Sequence, residues 1–218
     1  MDIQELTLST ADLTAQRDFY ENVLKLPVIE SDEQHLVIRA GKTQLEFVHA
    51  PVQGIYHFAF NIPENQFAEA RDWLSVPRIR AKDGRDEFFI ESWNAHNVYF
   101  YDPAGNILEL IARHTLPNAS TEPFSEKSLL NISEIGIAAQ DVKAFTESSS
   151  LPNYGSPSDD FAPLGDENGL LIIVKIGRQW FPDTGRTALE LPLQALISSN
   201  GRQMQINGVP HTNLYVKS

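Results

Sequence analysis

The chain contains no cysteine. That absence removes disulfides, thiolate metal sites and cysteine nucleophiles from consideration. Positive charge is also scarce: 17 Lys and Arg stand against 29 Asp and Glu, a formal net charge of −12. The imbalance argues against nucleic-acid partners, whose binding rests on neutralising phosphates with Lys and Arg. No apolar run approaches the roughly 18–20 residues that a membrane span needs. The opening segment MDIQELTLST lacks a basic-then-apolar leader pattern. The expected address is therefore the cytoplasm, with no membrane partner. Phosphate-cradling loops, dinucleotide fingerprints and nucleophile elbows are missing as well.

What is present is an ordinary globular composition, 42% hydrophobic and 21% charged over 218 residues. That length suits one large domain or two small ones and is enough to bury a core. Ile3 to Thr10 alternates apolar and polar residues, as a half-buried strand does. Asp12 can cap a helix in which Leu13, Phe19, Tyr20, Val23 and Leu24 recur at helical spacing. Strand-like runs follow at Pro27–Glu33, Leu36–Ala40 and Gln44–Val48, with a turn at Gly41-Lys42. The same order then repeats: a strand at Tyr56–Ile62, a helix at Glu64–Leu74, and strands at Phe88–Glu91 and Asn97–Tyr101. Asp102-Pro103-Ala104-Gly105 is a strong turn signal before a last strand, Asn106–Ala112.

These two β-α-β-β-β units predict an α+β fold: paired modules over residues 1–113, forming a curved mixed sheet around a cavity. Residues 114–128 are polar, proline-containing and aperiodic, and read as a linker. A third start follows. Ile132-Ser133-Glu134-Ile135-Gly136-Ile137 aligns without gaps to Ile3-Gln4-Glu5-Leu6-Thr7-Leu8, and Asp141-Val142 to Asp12-Leu13. Residues 129–218 are therefore expected to form a divergent, partial copy with no metal site of its own, completing or covering the first module. Its half-exposed sheet predicts a homodimer over a monomer. It carries a buried-strand run, Leu170–Val174, and a hairpin expected at Met204–Val209 with its turn at Asn207-Gly208, followed by a short strand.

The segments Arg17–Glu21 with Val23–Leu26, Tyr56–Phe60 and Asp102–Leu110 together resemble the vicinal oxygen chelate superfamily of glyoxalases, bleomycin-resistance proteins and dioxygenases. The last is that family's closing turn-and-strand signature. The resemblance implies four metal positions, which fall on Glu5, Glu46, His57 and Glu109, with Glu5 where a His is usual. It implies a divalent ion (Mn²⁺, Fe²⁺, Ni²⁺, Mg²⁺ or Zn²⁺) and a small-molecule ligand or substrate. The expected function is a glyoxalase-like, metal-dependent lyase or isomerase in which Glu5 or Glu46 serves as catalytic base. The alternative is a metal-free protein that binds a small molecule or antibiotic. A dioxygenase fits less well, since only one of the four positions is a His.

Strand parity supports the placement: Glu5, Glu46, His57 and Glu109 all fall on the less apolar face of their strands. A competing reading makes His57 a core histidine bonded to a backbone carbonyl. His35, His49, His96, His114 and His211 show no ligand spacing. Trp180-Phe181-Pro182 reads first as an aromatic turn on the core, with a pocket wall as the alternative, and the flanking Arg178 and Arg186 can hold a substrate carboxylate.

Overall fold

Two aspartates open the helices that follow the repeated strands. The Asp12 carboxylate accepts the backbone N–H of Ala15 at 2.9 Å, and Asp141 accepts that of Ala144 at 2.9 Å. Each satisfies an N–H that the first helical turn leaves without a partner. The computed structural model describes residues 1–182 and 184–208. The first unit comprises β1 (Asp2–Thr10), α1 (Leu13–Asp18), β2 (Val28–Ser31), β3 (His35–Ala40) and β4 (Thr43–His49). Its helix continues as a π-helical turn over Phe19–Val23. The second comprises β5 (His57–Ile62), α2 (Phe67–Trp73), β6 (Phe88–Ile90), β7 (Ala95–Tyr101) and β8 (Ile107–Arg113). After them come β9 (Asn131–Ala139), α3 (Val142–Ser148), β10 (Phe161–Asp166), β11 (Gly169–Lys175), β12 (Leu193–Ser199) and β13 (Arg202–Asn207).

The strands form two curled mixed sheets, ordered β13-β12-β1-β4-β3-β2 and β10-β11-β9-β5-β8-β7-β6. In each unit the first strand runs parallel to the last: β1 with β4, β5 with β8, β9 with β11. The units join through antiparallel first strands, but β1 and β5 do not join each other. β5 pairs with β9, and β1 pairs with β12. The C-terminal half therefore supplies strands to both sheets. Residues between the halves are tied down, with Gln66 Nε2 donating to the Glu122 carbonyl at 2.6 Å and Glu64 N to Asn118 Oδ1 at 2.9 Å.

Alternation places Leu6, Leu8, Leu45, Phe47, Phe58, Phe60, Leu108, Leu110 and Ile135 in one shared core between the sheets. Each fully buried side chain of this kind contributes about 1.5–3 kcal/mol. Separating the sheets would expose all of them. The opposite face of the seven-stranded sheet carries a second apolar cluster, including Tyr99, Ile107, Ile172, Val174 and Trp180.

One turn lies elsewhere than the sequence suggests. Two Asn-Gly dipeptides lie near this hairpin, and its turn uses the earlier one: Ser199 pairs with Arg202, while Asn200 and Gly201 take φ of 51° and 74°. A two-residue loop with both φ positive matches the twist of the flanking strands, and Asn-Gly suits it best. The short strand expected beyond residue 208, and His211, lie outside the described residues. No helix among the described residues is long and apolar enough to cross a membrane.

Candidate metal centre

One row across the seven-stranded sheet sets up the site. Tyr99 pairs with Glu109, Glu109 with Ala59, and Ala59 with Glu134. A small Ala between two glutamates leaves their carboxylates room to converge above it. His57 lies two residues before Ala59, so it shares that face. One donor atom from each of His57, Glu109 and Glu134 lies within 4.8 Å of the others, and all three residues are buried. The His57 Nε2–Glu109 Oε2 separation is 3.6 Å.

The surrounding bonds fix the chemistry of each group. His57 Nδ1 lies 3.1 Å from the Ile107 carbonyl oxygen. A carbonyl only accepts, so Nδ1 carries the hydrogen and Nε2 presents a lone pair. Burial pushes the His57 pKa down to about 4, so the ring is neutral at physiological pH. Glu109 accepts from Asn97 Nδ2. Burial and the charge of Glu134 raise the Glu109 carboxyl well above the ordinary range. Glu134 is also raised by burial, against the pull of Arg113, whose guanidinium donates to it. Arg113 is wholly enclosed: its Nε donates to Asn61 Oδ1 at 3.2 Å, and its guanidinium carbon lies 5.3 Å from the Trp93 ring centroid. The enclosed inventory is thus one neutral imidazole, one Arg–Glu pair and a second carboxyl with no cation of its own.

Above the cluster is a cavity of about 290 Å³. Trp93, Tyr99, Phe161, Trp180 and Phe181 supply aromatic wall, and Arg178, Asn97 and Gln179 supply polar atoms. The Trp180 ring lies 5.2 Å from that of His57. A larger groove of about 640 Å³ also touches Trp180, but its carboxylates, Asp141 and Glu190, do not converge with a third ligand.

No protein-family model matches the sequence. Metallothiol transferase FosB of Staphylococcus saprophyticus is 28% identical over 115 residues, 50% of this chain and 74% of that protein. A FosB of Staphylococcus haemolyticus is 24% identical over 115 residues, 50% of this chain and 81% of that one. Among solved structures, a putative dioxygenase from Bacillus subtilis superposes with a TM-score of 0.58 at 17% identity, covering 80% of this chain and 63% of that one. A glyoxalase I variant from Zea mays gives 0.53 at 16% identity, over 80% and 67% of the two chains. In sequence the chain is similar to FosB, and in fold to these dioxygenase and glyoxalase I structures.

The four positions expected from the sequence separate into two pairs. His57 and Glu109 meet in the cavity. Glu5 is exposed on β1, and Glu46 on β4 contacts His35 Nδ1 at 2.7 Å and accepts from Thr7 Oγ1 at 3.2 Å. Both belong to the other sheet, because β5 takes β9 rather than β1 as its neighbour. Glu134, the counterpart of Glu5 in the third unit, stands in the cavity instead. Two signals in the sequence point toward it: the aligned starts, and the continuous apolar run Leu170–Val174, which marks a strand covered on both faces. The aromatic turn at Trp180-Phe181 forms cavity wall. Arg178 lines the cavity, whereas Arg186 stacks at 4.9 Å on Tyr101. His96 and His114 contact each other at 2.7 Å, apart from the cluster.

Proposed function

We propose that this chain is a divalent-metal-dependent enzyme acting on a small oxygen-bearing substrate, with His57, Glu109 and Glu134 as the metal ligands. The observation that carries this reading is the meeting of a lone-pair-bearing imidazole and two carboxyls in one enclosed cavity. Donors about 2.1 Å from one ion lie at most about 4.2 Å apart, and the 3.6 Å His57–Glu109 separation fits. The Ile107 carbonyl holds the His57 ring in the ligating tautomer, the usual supporting contact of a metal-bound histidine. One nitrogen and carboxylate oxygens suit Mn²⁺, Fe²⁺, Ni²⁺ or Zn²⁺ and do not make the two-His, one-carboxylate set of oxygen-activating iron. When bound, the ion supplies Lewis-acid polarisation of a substrate oxygen.

The chain's own residues do the remaining work. Arg113 holds one oxygen of Glu134 in place. Glu109, raised by burial, holds its proton to a higher pH than an ordinary carboxyl does. A proton-moving lyase or isomerase uses such a carboxyl. The aromatic walls exclude water and strengthen electrostatic interactions inside the cavity. A metal-free binding protein is the second reading, favoured by one observation: Arg113 already neutralises Glu134, so a protonated Glu109 would leave the cluster balanced without an ion.

Elemental analysis, with melting measured in Mn²⁺, Ni²⁺ and Zn²⁺ and then in EDTA, separates the two. The enzyme reading expects about one ion per chain. It also expects a stabilisation of about 2.7 kcal/mol at an ion concentration a hundredfold above Kd. A flat response to every ion, with no effect of EDTA, would award the site to the metal-free reading.

A further inference from the structure

The rim of the cavity carries a cation that, among the described residues, makes only one long ion pair. Arg178 lines the cavity, and no side-chain hydrogen bond engages its guanidinium among the described residues. The carboxylate of Asp160, 55% exposed, is 3.8 Å away. The guanidinium is nonetheless held in place, 5.1 Å from the Phe161 ring centroid. Two residues on, the buried Trp180 Nε1–H finds no acceptor among the described residues. Arg178 and Trp180 belong to an extended segment whose middle residue, Gln179, bridges to Thr187, so the two side chains leave the backbone on the same side. A cavity with an aromatic wall and a weakly paired guanidinium at its rim asks for a flat ligand with an anionic oxygen group.

We propose that the cavity takes a small planar acid: an oxygen-bearing end directed at the His57–Glu109–Glu134 cluster and an anionic oxygen group at the other end, held by Arg178. The proposal rests on the metal reading above. Without an ion, the cluster is at best neutral, since Arg113 does no more than offset Glu134. With a divalent ion, the cluster, Arg113 and Arg178 together present net positive charge to it. The chain's overall charge of −12 repels acids elsewhere, so Arg178 sets specificity by supplying positive charge locally. Guanidinium suits this role because its fork of N–H donors matches a carboxylate or phosphate edge.

Calorimetry on the full chain loaded with Mn²⁺ or Zn²⁺ tests this, with two probes: terephthalate, a flat ring with two opposed carboxylates, and its mono-amide. Wild type is expected to bind terephthalate about tenfold more tightly than the amide, the worth of one charge-assisted bond at a partly open rim. Arg178→Gln should erase that preference while amide binding and metal content stay the same. Arg178→Lys should restore part of it. Equal affinities in wild type, or a preference that survives Arg178→Gln, would overturn the assignment while leaving the metal site standing. Metal binding with neither probe bound would overturn it alone. If no metal binds at all, the metal reading fails and this inference fails with it.

Discussion

Glu5 and Glu134 occupy the same position in two aligned strands and have opposite fates. Glu5 lies exposed on the six-stranded sheet, while Glu134 is 3% exposed on the seven-stranded one and paired with Arg113. Two residues further on, the first sheet has Thr7 and the second Gly136. Thr7 donates to Glu46 across the strand pair. At Gly136 a Cβ would sit 2.4 Å from Trp180 Cη2, so the missing side chain is what lets the indole lie over the sheet. Among the described residues, Glu5 stays exposed and Glu46 half-buried. The strand presents a carboxylate; the cover above it makes the carboxylate a candidate ligand, because only an enclosed charge must find a cation or a proton.

That contrast can be broken by mutation. The largest effect is expected at Arg113. Arg113→Met leaves Glu134 buried without its partner and should cost about 3–5 kcal/mol in urea unfolding. His35→Ala, which breaks the half-exposed pair with Glu46 in the other sheet, should cost about 1 kcal/mol or less. Similar losses at both would show that enclosure does not distinguish the two sheets.

Metal binding gives the next contrast. Glu134→Gln should weaken the ion by about a hundredfold, about 2.8 kcal/mol at 1.4 kcal/mol per decade, whereas Glu5→Gln and Glu46→Gln should leave it unchanged in a competition titration. Loss at Glu5 or Glu46 with retention at Glu134 would return the site to the set expected from the sequence. The smallest effect is expected at Gly136→Ala. The indole is rigid, so the added methyl should destabilise by about 1–3 kcal/mol through overpacking and shift Trp180 fluorescence. Thr7→Ala at the aligned position should change stability little. Equal and small effects at both would mean that the glycine is not what seats Trp180.

Much of this was legible in the residues. Asp12 and Asp141 cap their helices as their spacing predicts, and alternation put His57 and Glu109 on one face. The Asp102–Leu110 signature and the aligned starts announced the repeated units. His57 is bonded to a carbonyl through Nδ1, as the core reading expects, and lines the cavity. The hairpin turn was harder to place, because Asn200-Gly201 and Asn207-Gly208 offer the same local chemistry. Only the strand that follows decides between them.

The sequence by itself determined which residues form strands and helices, which face each side chain takes, and which side chains are able to carry charge or bind a metal. Those properties depend on neighbours one to four residues away. The tertiary structure alone decided that β5 lies beside β9 rather than β1, which exchanges Glu134 for Glu5. It also decided that Arg113 reaches Glu134 and that Trp180 covers Gly136. Period-two alternation assigns a face but says nothing about which strand lies alongside, and that choice is made by the burial of the whole shared core at once.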